Sequence, residues 1–396
     1  MRRWLESLET FAIDVILERR TGMRAGFLRF ILHGLSHIYE RIVSIRIWLY
    51  RRFYLRPAVP GCPVISVGNL TVGGTGKTPV VEMLARELQK GGRSVAILSR
   101  GYKSVPRPLF RRIIDKIFKD KALFAPRIVS DGHALLLDSR TAGDEPFMLA
   151  NNLRGVVVLV DRDRVKSAAY ATDKFRSDLI ILDDGLQYLR LKHSINLVLI
   201  DSQAPFGNRH LLPRGTMREP PRQLKRATHI LLTKCDRVND PGLIGEIRRY
   251  NSTAGIVQCA HRPLETRDLL TGKTRPLSWL DGLRIGAICG IAVPQSFEGA
   301  LRALGADIKL SAIYADHHRY RRKEVEAFLR RCAKLKLDAV VTTEKDAVRF
   351  PRILDPEIPI VCLRVEIQIL EGREIWDAMI SRLIQHREVM APVRVY

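Results

Sequence analysis

Pro63-Val-Ile-Ser-Val-Gly-Asn-Leu-Thr-Val-Gly-Gly-Thr-Gly-Lys-Thr-Pro79 decides the fold. Its apolar, β-branched opening (Val64, Ile65, Val67) predicts a buried strand. The run breaks into Gly73, Gly74 and Gly76, then Lys77 and Thr78. Beyond Pro79, the residues Val80, Met83, Leu84, Glu87 and Leu88 recur by threes and fours, which predicts a helix. Proline at a helix start is tolerated because an N–H there has no intrahelical partner. Strand, glycine turn and helix come in the order a phosphate cradle needs. Glycines let backbone N–H groups curl around an anion, and the helix N-terminus adds its positive dipole end. Thr71, Val72, Gly73, Gly74, Thr75, Gly76, Lys77 and Thr78 are therefore the candidate phosphate-binding residues. Lys77 would reach the outer phosphates, and the Thr78 hydroxyl would ligate Mg²⁺. The general G-x-x-x-x-G-K-[ST] pattern wants glycine where this chain has Thr71, so the loop is a variant. An ordinary glycine turn would explain the glycines, but not Gly-Lys-Thr-Pro at a helix start.

Composition sets the outer bounds. A chain of 396 residues buries a sizeable core and predicts two domains with appendages. Apolar content of 46% is that of a globular protein, whereas the net charge of +24 calls for an anionic partner. Nucleic acid, an anionic membrane surface and phosphorylated substrates all meet that requirement. Cys62, Cys235, Cys259, Cys289, Cys332 and Cys362 show no C-x-x-C pair or metal spacing and read as reduced core thiols of a cytosolic compartment. No signal pattern and no uncharged apolar run of bilayer length is apparent, which places the bulk of the protein on the cytoplasmic side.

Residues 1–60 differ from the rest. Between Phe30 and Leu55, large apolar residues such as Ile31, Ile38, Ile45 and Trp48 alternate with Arg41, Arg46, Arg51 and Arg52, and Glu40 is the only acid. That pattern predicts an amphipathic helix lying on a membrane, with the arginines on lipid phosphates. A core-packed helix or a basic nucleic-acid arm is the plainer alternative. The basic stretch 103–128 reads as a solvated charge run and is given no chemistry.

Further strands are expected at Arg93–Leu98, Val156–Val160, Leu179–Leu182, Asn196–Ile200 and Ile230–Leu232. The third ends in Asp183-Asp184, and an aliphatic strand ending in aspartate is the magnesium-holding half of a P-loop site. Both halves then sit at strand ends of one parallel sheet. Asp144 and Glu145 precede a helical pattern, where helix capping competes with chemistry as their purpose. Arg218 and Glu219 stand side by side in a proline-bounded turn. Thr233-Lys234-Cys235-Asp236 has the form by which GTPases read guanine, so a P-loop GTPase or metal-insertion chaperone is the rival reading.

The expected organisation is a P-loop domain over 61–256 and a hairpin linker over 257–280. A smaller α/β lobe over 281–365 and a helical segment over 366–396 follow. The fold class is α/β, a P-loop kinase-like parallel sheet with helices on both faces.

With these segments in view, the chain resembles the tetraacyldisaccharide 4′-kinases, membrane-associated lipid A kinases of Gram-negative bacteria. The matching stretches are Val67–Pro79, Leu98-Ser-Arg-Gly-Tyr102, Gly143-Asp-Glu-Pro146, Asp183-Asp-Gly-Leu-Gln187, Leu211–Pro220, Asp316-His-His318 and Thr343-Glu-Lys-Asp-Ala347. They fall in the family's order across roughly residues 30 to 365, and Thr71 is what the family carries. The resemblance implies transfer of the ATP γ-phosphate to the 4′-hydroxyl of a tetraacylated glucosamine disaccharide 1-phosphate. It implies Mg²⁺, two α/β/α lobes, and an enzyme on the cytoplasmic face of the inner membrane. Nucleic acid is not an expected partner, and a monomer is expected. By motif, Lys77 and Thr78 serve the phosphates and metal, and Asp183 and Asp184 the metal. Asp144 would be the base and His317 its orienting partner, with Arg218 and Glu219 near the transferring phosphate and metal. Tyr188, where many members have histidine, and the long 103–128 stretch depart from the family.

Overall fold

The computed structural model describes residues 11–102, 104–105, 125–235, 240–353 and 355–385. Most of the basic stretch 103–128, Asp236, the first ten residues and the end of the C-terminal segment lie outside these.

Among the described residues, the strands form one sheet of thirteen. At its centre β1 (Val64–Asn69) lies parallel between β5 (Leu179–Asp183) and β6 (Ile195–Asp201). Every residue of β1 and β5 is buried, because a parallel sheet is covered on both faces. β2 (Val95–Ser99) and β4 (Val157–Val160) extend one side, and β3 (Arg127–Asp131) closes that edge antiparallel. β7 (His229–Thr233) and β8 (Gly255–Asp268) extend the other.

Alternate strand residues feed opposite cores. Ile65, Val67 and Ile97 pack beneath α2 (Lys77–Lys90), α3 (Asp144–Asn152) and a C-terminal helix, Arg373–Gln385. Val64, Ala96 and Leu98 pack on α4 (Arg164–Phe175), and Val198 and Ile230 on α5 (Pro241–Tyr250).

Beyond β8 come β9 (Thr274–Arg275), β10 (Arg284–Cys289), β11 (Asp307–Ile313), β12 (Ala339–Thr343) and β13 (Ile360–Glu371). β11, β10, β12 and the start of β13 are parallel, with α6 (Pro294–Ala303) on one face and α7 (Arg322–Lys334) on the other.

The two parallel regions meet in an antiparallel ladder between β8 and β13. The long partner of 255–268 is thus 360–371, whereas the arm after the turn adds only Thr274 and Arg275. Pro276 follows at once and has no N–H to carry the pairing on. Residues 366–371 are strand where helix was expected, since Ile367 and Ile369 alternate onto the core. Gly372, at φ +77°, then turns the chain into the C-terminal helix, α8 (Arg373–Gln385).

α1 (Met23–Arg51) lies outside the sheet. Ser36 Oγ donates to Leu211 O at 2.9 Å, Tyr39 Oη to Arg218 O at 3.0 Å and Arg46 to Gln187 O at 2.8 Å. These bonds dock it beside the candidate site. Phe27, Phe30, Ile38, Ile42, Ile45 and Trp48 remain exposed. Among the described residues, no helix is long and apolar enough to cross a membrane.

Candidate active site

The glycine loop leaves β1 at Asn69 and enters α2 at Lys77, with Gly76 in the left-handed region at φ +79°. Neighbours fix its path. Val72 N–H donates to Thr216 O at 2.7 Å, Arg218 N–H to Leu70 O at 2.7 Å, and Thr233 Oγ1 to Thr75 O at 2.9 Å. Thr71, Thr75 and Thr78 are buried, while Val72, Gly73 and Gly74 face outward. A Cβ on Gly73 or Gly74 would meet nothing within 4 Å, so the space over this part of the loop backbone is open.

The acidic half lies on the adjacent strand, where Asp183 is in register with Val67. Ser99 Oγ donates to Asp183 Oδ2 at 3.0 Å, and the buried Oδ1 has no partner. Burial, then repulsion from Glu145 and Asp184, pushes Asp183 up to about 7. Asp184 takes both its oxygens to Arg218 Nη1 at 2.8 Å and stands 3.7 Å from Lys77 Nζ. Burial raises its pKa, but Lys77 and then Arg218 outweigh it and hold the carboxyl below the usual range. Lys77 Nζ also donates to Asn69 Oδ1 at 3.2 Å. Glu219 is buried and ion-paired with Arg226, and burial raises its pKa.

An orphaned carboxylate oxygen beside an open glycine loop fits a magnesium–triphosphate. Among the described residues, no three His, Cys, Asp or Glu side chains form a metal site. Magnesium needs none, because it draws most of its ligands from phosphate and water.

Asp144 opens α3 behind Gly143, whose φ of +95° would strain any other residue and where a Cβ would crowd Tyr102 O at 3.0 Å. His317 reaches it from the loop after β11, with Nδ1 3.2 Å from Asp144 Oδ2. Two arginines join them. Arg319 Nη2 lies 3.1 Å from Oδ1, and Arg349 Nε lies 2.7 Å from Oδ2. Burial raises the Asp144 pKa, but the hydrogen bond from His317 and the charges of Arg349 and Arg319 outweigh it, so it stays low. Glu145 adds to the repulsion on Asp183, so the start of α3 lies within electrostatic reach of the end of β5.

Sequence reasoning missed Arg319 and Arg349. The first adjoins Asp316-His-His318, and the second lies one helical turn beyond Asp346. Tyr188 is structural in its contacts. Its hydroxyl accepts from Arg164 N–H at 2.9 Å and donates to Asp163 Oδ1 at 3.1 Å, while its ring carries the Arg164 guanidinium at 4.7 Å. His318 is held by Glu324 at 3.0 Å and stacks on Tyr314.

A glycine loop, a carboxylate on the neighbouring parallel strand and a facing acid define a P-loop phosphotransferase. The tetraacyldisaccharide-1-P 4′-kinase (LpxK) family matches residues 28–385. The tetraacyldisaccharide 4′-kinase of Halothermothrix orenii is 34% identical over 92% of this chain and 95% of its own length. That of Anaeromyxobacter dehalogenans is 37% identical over 87% of each chain. The crystal structure of LpxK from Aquifex aeolicus in complex with ATP superposes with a TM-score of 0.70 at 27% identity, covering 90% of this chain and 99% of that one. The chain belongs to the tetraacyldisaccharide 4′-kinase family and is a kinase. The GTPase reading gives way accordingly. Of its four residues, Thr233 braces the glycine loop, Lys234 is bound to Asp201 at 2.5 Å, and Asp236 is outside the described residues.

Proposed function

We propose that the enzyme transfers the γ-phosphoryl group of ATP to the 4′-hydroxyl of a tetraacylated glucosamine disaccharide 1-phosphate. The observation that carries this reading is the pairing of Asp144 with His317 alongside that of Lys77 with Asp184, in a chain of this family. Residues 71–78 cradle the triphosphate, and Lys77 neutralises its outer oxygens. Thr78, Asp183, Asp184 and Glu219 would hold the metal. Bound magnesium supplies charge neutralisation on the β- and γ-phosphates. Arg218, which holds Asp184 here, is the cation placed to neutralise charge on the transferring group. Asp144 takes the hydroxyl proton late, as suits a low-pKa base in a reaction dominated by positioning and charge neutralisation. His317 orients that carboxylate.

The lobes are residues 61–256 and 281–365, joined by the β8–β13 ladder, and His317 of the smaller lobe reaches Asp144 of the larger one. The apolar face of α1 lies in the cytoplasmic surface of the inner membrane, where the acyl chains of the substrate are held. Docking there replaces a three-dimensional search by a two-dimensional one. The test is incubation with ATP, Mg²⁺ and the disaccharide 1-phosphate in detergent. A 4′-phosphorylated product is expected, and its absence from active, folded protein would reject the substrate assignment.

A further inference from the structure

Arg349 has no exposed side-chain surface, and each of its nitrogens has a partner. Nε donates to Asp144 Oδ2 at 2.7 Å. Nη1 donates to Gly290 O at 3.3 Å and to Asp346 Oδ1 at 3.1 Å. Nη2 lies 3.1 Å from His317 Nδ1. Asp346 is wholly buried and fixed in turn, accepting from Gly290 N–H at 3.0 Å and Thr343 Oγ1 at 2.6 Å. The smaller lobe therefore offers a preformed cation held by its own buried carboxylate, with two donors directed at residues from two other segments.

The contacts of His317 make this more than packing. Its Nδ1 faces an acceptor, Asp144 Oδ2 at 3.2 Å, and a donor, Arg349 Nη2 at 3.1 Å. A neutral imidazole carries its proton on one nitrogen. With the proton on Nδ1 the ring donates to Asp144 and its Nε2 is an acceptor. With the proton on Nε2, Arg349 donates to the Nδ1 lone pair and the outer nitrogen is a donor. Arg349 thus competes with Asp144 for the ring and fixes the rotamer of the carboxylate through Nε.

We propose that Arg349, anchored by Asp346, is a positioning residue that sets the orientation of Asp144 and the tautomer of His317. The reacting pair is then a four-residue unit that assembles only when the smaller lobe meets α3. The inference rests on Asp144 being the base.

Groups facing Asp144 and His317 from the surrounding elements are Arg319, Arg349, Asp316, whose carboxylate is 3.9 Å from His317 Nε2, and the Tyr102 ring. Removing the Arg349 cation lets the Asp144 pKa rise, so the acid limb of kcat moves to higher pH. Arg349→Met and Arg349→Lys are compared with wild type across pH in detergent, with MgATP and lipid each varied. Expected for Arg349→Met is a fall in kcat of about a hundredfold, with the KM for MgATP changed less than about twofold and the acid limb shifted upward. Lysine keeps the charge without the fork, so it should restore the limb position but only part of kcat. A folded Arg349→Met enzyme with wild-type kcat would overturn the proposal. So would a loss shared equally between kcat and the MgATP KM with an unmoved acid limb in Arg349→Met; if methionine prevents folding, a wild-type kcat in Arg349→Lys, or a loss shared equally between kcat and the MgATP KM, overturns it instead. Asp144→Asn separates the parent reading. If it turns over normally, the base assignment fails, whereas an inactive Asp144→Asn beside an unaffected Arg349→Met overturns the positioning role alone.

Discussion

The imidazole of His261, on β8, lies directly over Gly76, where a Cβ would run into the ring. Burial, and then the charge of Lys234, pushes this histidine down to about 4. An unfolded chain binds the proton near 6.5, so between pH 6.5 and 4 the unfolded state holds more protons than the folded one. Stability from this group is complete above that window and is lost as pH falls through it, by at most about 3 kcal/mol. The expected result is that His261→Gln flattens the dependence of the denaturation midpoint on pH between 4.5 and 7, relative to wild type. Because the ring touches the phosphate loop, the affinity of the wild-type enzyme for MgATP should weaken over the same interval. Parallel wild-type and variant curves would show that the ring is not held neutral.

Asp144→Ala removes the carboxylate while leaving Lys77, Asp183 and the glycine loop untouched. Nucleotide binding, followed by calorimetry, should survive, whereas turnover should fall about 10²–10⁴-fold. Lys77→Ala should act the other way round, because its ammonium, the loop's own cation, contacts Asn69 and Asp184 among the described residues. Weakened MgATP binding is its expected signature. Wild-type turnover in Asp144→Ala would remove that residue from the chemistry.

Local pattern carried most of the fold. Val64–Asn69, the glycine turn and the helix after it are written in adjacent residues, and so is the aliphatic run ending at Asp183. The pairing of β8 with β13 was not legible, because nothing in 255–268 names a partner at 360–371. Asp144 and His317 came from family resemblance, since a carboxylate at a helix start reads equally well as a cap. Arg349 escaped altogether. Its meaning lies in contacts with Asp144, Gly290 and His317, which are remote in the chain, and an arginine in a loop carries no periodic signal.

Arg364 on β13 reaches Glu344 at 2.8 Å, Glu265 at 2.8 Å and Glu82 at 3.1 Å. Asn152 bridges Glu82 and Glu344 at 3.0 and 2.8 Å. Glu82 lies on the helix that begins with Lys77, and Asn152 ends the helix that begins with Asp144, so Arg364 ties the first to the smaller lobe directly and Glu344 ties the second through Asn152. Arg364→Met would take from Glu344 its arginine partner and leave Glu82 and Glu265 with only Arg86 and the more distant Arg267 among the described residues. A loss of roughly 3 kcal/mol is expected in chemical denaturation, the low end for a broken buried pair, since Glu265 is partly exposed. Glu265→Gln should cost less, as two carboxylates remain on Arg364. Unchanged stability in Arg364→Met would mean that the lobes are held together elsewhere.

The outward side of α1 can be altered without touching a core. Phe27, Phe30, Ile38 and Ile45 are 68%, 77%, 57% and 58% exposed, while Ser36, Tyr39 and Arg46 make the bonds that dock the helix. Each large apolar side chain gains about 1.5–3 kcal/mol when fully covered, and water covers none of these favourably. Basic residues near an anionic surface add about 1 kcal/mol each, which salt screens. Changing the four residues to serine should therefore abolish co-sedimentation with phosphatidylglycerol-containing vesicles while leaving the melting temperature of the protein unaltered. Activity should fall on substrate embedded in vesicles and be retained in detergent micelles, where no surface search is needed. Raising salt should weaken wild-type vesicle binding only in part, because the apolar contribution persists. Undiminished sedimentation of the fourfold variant would show that α1 is not what meets the bilayer.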